Sequence, residues 1–217
     1  MGVIAQYGQI FTRTWRLMGL ETFSLTLYDN PELVEAVWNR AGEMMLEVWR
    51  KMASYDFVDA VVYNDDIAFR TSLFVAPEIL RKYHFPWLEQ LAEIARSRSA
   101  PLIYHTDGVL WEVMDDIIAC GVNAIHPVEA LAMDIREVKE RYGNKLCLIG
   151  NLCLTGPLAL GTPAQVEEEV KRLLREVAPG GGFCLGSGNS IPDYVPFENY
   201  VAMNQACLKH GTYPIRV

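Results

Sequence analysis

Six short runs of apolar residues punctuate the chain: GVIAQYG (2–8), DAVVYND (59–65), PLIYHTD (101–107), NAIHPV (123–128), LCLIGNL (146–152) and GFCLGSG (182–188). Each reads as a strand apolar on both faces, the pattern of a parallel sheet covered by helices. Between the runs lie longer stretches with the 3.6-residue periodicity of amphipathic helices. In NPELVEAVWNRAGEMMLEVWRKM, Asn30 is a candidate N-cap and Pro31 sits at the first helical position. Its Leu33, Val34, Val37, Trp38, Ala41, Met44, Met45, Val48, Trp49 and Met52 form a stripe that belongs in a core. TPAQVEEEVKRLLREV opens with a capping box, Thr162 to Gln165, and gathers Val166, Val170, Leu173, Leu174 and Val177 on one face. Residues 77–98 read as helical, with Pro86 expected to break or kink the segment. Shorter helices are expected near 109–120, 133–142 and 197–209.

Strand–helix alternation repeated six times predicts a parallel α/β fold. Its even rhythm favours a (β/α) barrel over a doubly wound sheet, and the first strand is followed by no glycine fingerprint for a dinucleotide. Six units do not close an eight-stranded barrel, so the expectation is one partial TIM-barrel domain over residues 1–217. Either the first two βα units are lacking, or the first 30 residues hide one, or another chain completes the sheet. Open strand edges of that kind are adhesive, which favours a homo-oligomer.

Composition narrows the classes. Of 217 residues 51% are hydrophobic, enough for a sizeable core, and the formal charge of −8 comes without any basic stripe. Nucleic acid is therefore not an expected partner. The opening lacks the basic and apolar regions of a signal peptide, and no apolar run reaches the roughly 18 residues of a membrane span. The five cysteines (120, 147, 153, 184 and 207) form no CxxC pair. Their scatter suits a reduced, cytoplasmic protein.

The candidate chemistry lies at the strand ends, where parallel barrels build their sites. The second run ends in Asn64, Asp65 and Asp66, the third in His105 and Asp107. The fourth carries His126 and leads to Glu129, the fifth ends in Asn151 and Cys153, and the sixth in GSGNS, with Gly186, Gly188 and Asn189. A charge at a strand end is costly unless water, a ligand or a partner solvates it, so the set suggests one solvated mouth. Each residue also has a plainer use. Asp107 fits a cap for a helix starting near Gly108, Asp65 and Asp66 fit solvated loop carboxylates, and His126 fits a hydrogen-bonded core histidine. Cys153 fits a small buried apolar side chain, and Asn151 and Asn189 fit turn closures. His84 and His210, within helical patterns, are expected at the surface. The glycines of GGGFCLGSGNS either admit a phosphate or carboxylate to the backbone or merely permit a turn.

The order HTDG, then IGNL…GPLALGTPAQVEEEVKRLL, then LGSGNSIPDYVPFENYVAM resembles the uroporphyrinogen decarboxylase superfamily, and the opening YGQIFTRTWRLMGLETFSLTLYDNPELVEAV is similar to the region around that family's third strand. The resemblance implies a (β/α)8 barrel of which this chain supplies units three to eight. It implies an enzyme, either a decarboxylase of uroporphyrinogen-type tetrapyrroles, which needs no cofactor, or a methyltransferase moving a methyl group between a small donor and a corrinoid or thiol. In the methyltransferase case the partner is a corrinoid protein and zinc is the implied metal. His105-Thr106-Asp107 stands where such relatives carry a His-x-Cys zinc pair, with aspartate in place of cysteine. On this reading His105, Asp107 and Glu129 are the metal ligands, Glu129 alternatively an acid, and a His/Asp/Cys set with Cys184 of the last strand is the other option. Asp65 and Asp66 add acid–base contacts, while His126, Asn151, Cys153, Gly186, Gly188 and Asn189 contact the substrate. A non-catalytic partial barrel that assembles with another chain is the remaining reading.

Overall fold

A computed structural model describes residues 2–217. Each of the six apolar runs forms a strand: β1 (Ile4–Gln6), β2 (Ala60–Asn64), β3 (Leu102–His105), β4 (Ala124–His126), β5 (Cys147–Leu152) and β6 (Phe183–Ser187). Between them run α1 (Phe11–Met18), α2 (Leu20–Asp29), α3 (Pro31–Ala53), α4 (Pro77–Tyr83), α5 (Phe85–Ser97), α6 (Met114–Ala119), α7 (Ile135–Tyr142), α8 (Pro157–Leu160), α9 (Pro163–Val177) and α10 (Phe197–His210). The fold is α/β. The chain divides into a first unit ending at Ala124 and a second, Ile125–Val217. Among the described residues, no helix is long and apolar enough to cross a membrane.

In the first unit β1, β2 and β3 lie side by side in parallel, with Gln6 opposite Val62 and Asn64 opposite His105. Helix α3 starts as its sequence requires, the Asn30 side chain accepting the Leu33 N–H at 3.2 Å. Its buried stripe is narrower than the apolar pattern suggests. Val34, Trp38, Ala41, Met45 and Trp49 are buried, whereas Leu33 and Met44 are exposed. Trp38 meets Phe11, Phe23 and Tyr83, and Trp49 meets Tyr63 edge-on at 6.2 Å. Helices α4 and α5 divide the segment 77–98 at His84, two residues before Pro86.

In the second unit β5 and β6 pair in parallel, Asn151 opposite Gly186. The capping box of α9 forms in full, with Gln165 N–H on Thr162 Oγ1 and Thr162 N–H on Gln165 Oε1. Helix α10 packs on α9, and its buried Asn199 reaches out of the helix to donate to the carbonyls of Leu158 and Gly161, at 3.0 and 2.8 Å. Those carbonyls belong to the end of α8 and have no further helix to bond. Asn199→Ala should therefore lower unfolding free energy by about 1–3 kcal/mol, read as a shift of the urea midpoint.

Two strands depart from the expected two-sided burial. In β1, Ile4 is 58% exposed, and in β6 Cys184 is exposed while its neighbours are half-buried. Apolar composition alone cannot distinguish a strand covered on both faces from one at a sheet edge.

Candidate functional site

The period of two along a strand sorts the polar residues at the ends of β2 and β3. Tyr63 and Asp65 point to the buried side, whereas Asn64 and Asp66 are half-buried. In the next strand Tyr104, Thr106 and Gly108 are buried, and His105 and Asp107 stand half-buried on the alternate side. Because Asn64 lies opposite His105, the residues that follow run beside one another. Asp65 N–H donates to the His105 carbonyl at 3.0 Å, Ile67 N–H to Thr106 Oγ1 at 3.2 Å, and Asp107 N–H to Asp66 Oδ1 at 2.9 Å. Val109 N–H closes the lacing on the Phe69 carbonyl at 2.9 Å.

Parity and lacing bring Asp66, His105 and Asp107 together. One imidazole nitrogen and two carboxylate oxygens, one from each residue, all lie within 4.8 Å of one another. Burial pushes the His105 pKa down and the neighbouring Asp66 opposes it, leaving a net downward shift. The imidazole is then neutral at pH 7 and has a nitrogen lone pair, the form in which histidine ligates metals. Two carboxylates and a neutral imidazole make a donor set suited to a divalent cation such as zinc. Gly108 makes the turn possible. Its φ is +92°, and a Cβ there would stand 2.5 Å from the Phe69 carbonyl oxygen. Asp107 does not cap a following helix, since α6 begins only at Met114 with Val113 at its N-cap.

Asp65, expected beside Asp66 in acid–base work, has a different position. It is 2% exposed and accepts the N–H groups of Ile10 (2.7 Å), Phe11 (2.7 Å) and Thr12 (2.8 Å), together with the Tyr63 hydroxyl at 2.6 Å. Those amides are the open N-terminus of α1, where a carboxylate is favoured by both hydrogen bonding and the helix dipole. Burial and the Asp65 charge hold Tyr63 well above its ordinary pKa, so its phenol stays a donor.

His84 corrects an expectation. It is fully buried rather than at the surface, ringed by Phe11, Trp38, Tyr63, Phe85 and Tyr104, with its Nε2 3.2 Å from the Tyr104 hydroxyl. Burial pushes its pKa down, Asp65 opposing. The sign for stability follows directly. The unfolded chain takes up the proton near pH 6.5 and the folded protein only at lower pH, so stability falls as pH drops below about 6.5. His105 shifts in the same direction. The urea midpoint should decline between about pH 7.5 and about pH 5.5, and His84→Phe should flatten that decline. His210, at the end of α10, is hydrogen-bonded to Glu167 at 2.9 Å.

The strand ends of the second unit are laced too. His126 Nε2–H donates to the Ser187 carbonyl at 3.3 Å, the Asn151 side-chain amide donates to the Val128 carbonyl, and Gly188 N–H donates to the Leu152 carbonyl at 2.8 Å. Ser187 Oγ donates to the Asn189 carbonyl at 2.6 Å, and Asn189 Oδ1 accepts the Ser190 N–H at 2.7 Å. Cys153 Sγ lies 3.5 Å from Thr155 Oγ1, and Gly186 sits within β6 opposite Asn151. Asn151 also lines a cavity of about 420 Å³ with Asp134, Arg136 and Arg172. Glu129 belongs to this unit, in the loop after β4.

Comparison with known proteins gives three findings. The sequence model of the family described as Uroporphyrinogen decarboxylase (URO-D) matches residues 1–210. A curated uroporphyrinogen decarboxylase of Methylobacillus flagellatus is 28% identical over 148 residues, covering 68% of this chain and 40% of the relative. A solved methyltransferase from Methanosarcina mazei superposes with a TM-score of 0.78 at 20% identity, over 98% of this chain and 60% of that one, a likeness of fold. The chain thus spans 40% and 60% of the lengths of these two relatives. With nearly its whole length matched, the chain belongs to the uroporphyrinogen decarboxylase family.

Proposed function

We propose that the chain is the later six βα units of a family barrel and a methyltransferase, transferring a methyl group between a small methylated donor and a corrinoid or thiol, with a metal ion at Asp66, His105 and Asp107. The observation that carries this reading is the donor set of that cluster. Two carboxylates beside a neutral imidazole attract a cation and repel a substrate that is itself a polycarboxylate. A zinc ion bound there would supply Lewis acidity, stabilising a thiolate at neutral pH.

The chain's own groups do the positioning. The Asp107 N–H fixes one oxygen of Asp66, and the buried side of β3 holds His105 in register with β2. Burial keeps the imidazole unprotonated. A methylated corrinoid would present its methyl group as substrate, and a thiolate accepting that group would gain a carbon–sulfur bond as the carbon–cobalt bond is lost, the electron pair remaining with the corrinoid. We assign Glu129, in the loop after β4, as an acid, and, within the second unit, His126, Asn151, Cys153, Gly186, Gly188 and Asn189 as substrate contacts. Asp65 we assign to positioning, through α1. The expected partners are the small-molecule substrate and a corrinoid protein.

The test is the loss of the methylcobalamin spectrum when the zinc-loaded chain is mixed with a panel of small thiols. Catalysed loss with formation of the thioether supports the reading, and no acceleration over the thiols alone overturns it. The curated relative's name favours a second reading, decarboxylation of uroporphyrinogen. Release of CO2 from uroporphyrinogen by the metal-free chain would favour that reading instead.

A further inference from the structure

The second unit holds a pair of thiols that the methyl-transfer reading does not use. Cys147 opens β5 and Cys184 lies on β6. Ile149 is opposite Cys184, and Cys147, two residues earlier, shares its face by the period of two. The two thiols are therefore diagonal neighbours on one side of a parallel pair. Their sulfurs are 3.8 Å apart, and Cys184 is exposed.

That separation favours one kind of chemistry. A disulfide needs sulfurs about 2.05 Å apart and α-carbons no more than about 7 Å apart, which a diagonal pairing of parallel strands opposes. Two sulfurs bound to one tetrahedral ion at about 2.3 Å each stand about 3.8 Å from one another. We propose that Cys147 and Cys184 form a two-thiolate site for a thiophilic divalent cation of the zinc and cadmium class, built from residues other than those of the carboxylate–imidazole cluster.

The surroundings agree with this assignment. The two sulfurs share one hydrogen bond, in which either thiol can be the donor, so nothing but a proton lies between them. An incoming ion displaces the S–H protons, forms bonds to both sulfurs and releases those protons to the buffer.

Titration of the whole chain with cadmium tests the site through the ultraviolet sulfur-to-cadmium charge-transfer band. The band should appear and saturate at one ion per chain. It should be lost in Cys184→Ser and in Cys147→Ser, with cadmium affinity lower by about tenfold or more. It should persist in His105→Ala, which separates this site from the proposed methyl-transfer centre. A second readout needs no variant: cadmium should protect Cys184 from alkylation by iodoacetamide, as mapped by peptide mass spectrometry. A band that survives Cys184→Ser, or alkylation of Cys184 unaffected by cadmium, would overturn the proposal.

Discussion

Replacing Asp65 with alanine is expected to destabilise the first unit by about 3–5 kcal/mol, near the top of the range for single substitutions. The carboxylate accepts three backbone amides at 2.7–2.8 Å and the Tyr63 hydroxyl at 2.6 Å, all from within the core. Alanine leaves these donors buried without their acceptor, and each such loss costs on the order of 1–3 kcal/mol before relaxation. It also removes the negative charge at the N-terminus of α1, worth about 0.3–1 kcal/mol or more where water is excluded. Asp65→Asn keeps one acceptor oxygen and should lose roughly half as much. Urea unfolding followed by tryptophan fluorescence checks both values, since Trp38 and Trp49 are buried in this unit. A loss under about 1 kcal/mol for Asp65→Ala would show that the α1 amides find other partners.

Replacing His105 with alanine is expected to lower the proposed methyl transfer at least about 100-fold, because even residues outside a metal's direct ligands cost 10–100-fold when lost. Its stability cost should be small beside that of Asp65→Ala, since His105 is half-buried and faces the cluster rather than the core. The contrast is the informative part. Asp65→Ala should fail by unfolding, whereas His105→Ala should keep its urea midpoint at neutral pH and lose its chemistry. Full activity in a folded His105→Ala variant would remove the cluster from the mechanism.

The six strands and the capped helices α3 and α9 were legible because their signals are local: apolar runs, Asn30 before Pro31, and Thr162 three residues before Gln165. Helices α1 and α2 escaped the sequence pattern for a physical reason. Helix α1 follows Ile10, which has no side chain to cap it, and its cap arrives from Asp65, more than fifty residues away. It also buries Thr12 and Thr14, so its inward face does not read as apolar. The buried position of His84 is hidden from the sequence for a similar reason. Its flanks are helical, but the break between α4 and α5 turns it into the aromatic cluster around Trp38 and Tyr63.

The candidate site was half legible. His105 and Asp107 stand out as a strand-end pair. The grouping with Asp66 required knowing that Asn64 lies opposite His105, a register set by the pairing of two strands and written in neither alone. Parity along β2 would already have separated Asp65 from Asp66. Once Tyr63 is placed in the core, Asp65 follows it inward and Asp66 faces the other side.

The most direct test is calorimetric titration of zinc into the chain carrying Cys147→Ser and Cys184→Ser, with and without Asp66→Ala. Convergence of Asp66, His105 and Asp107 on one ion predicts a single site that weakens by about tenfold or more when Asp66 is replaced. Identical zinc affinity in the two proteins, or no binding in either, would contradict it.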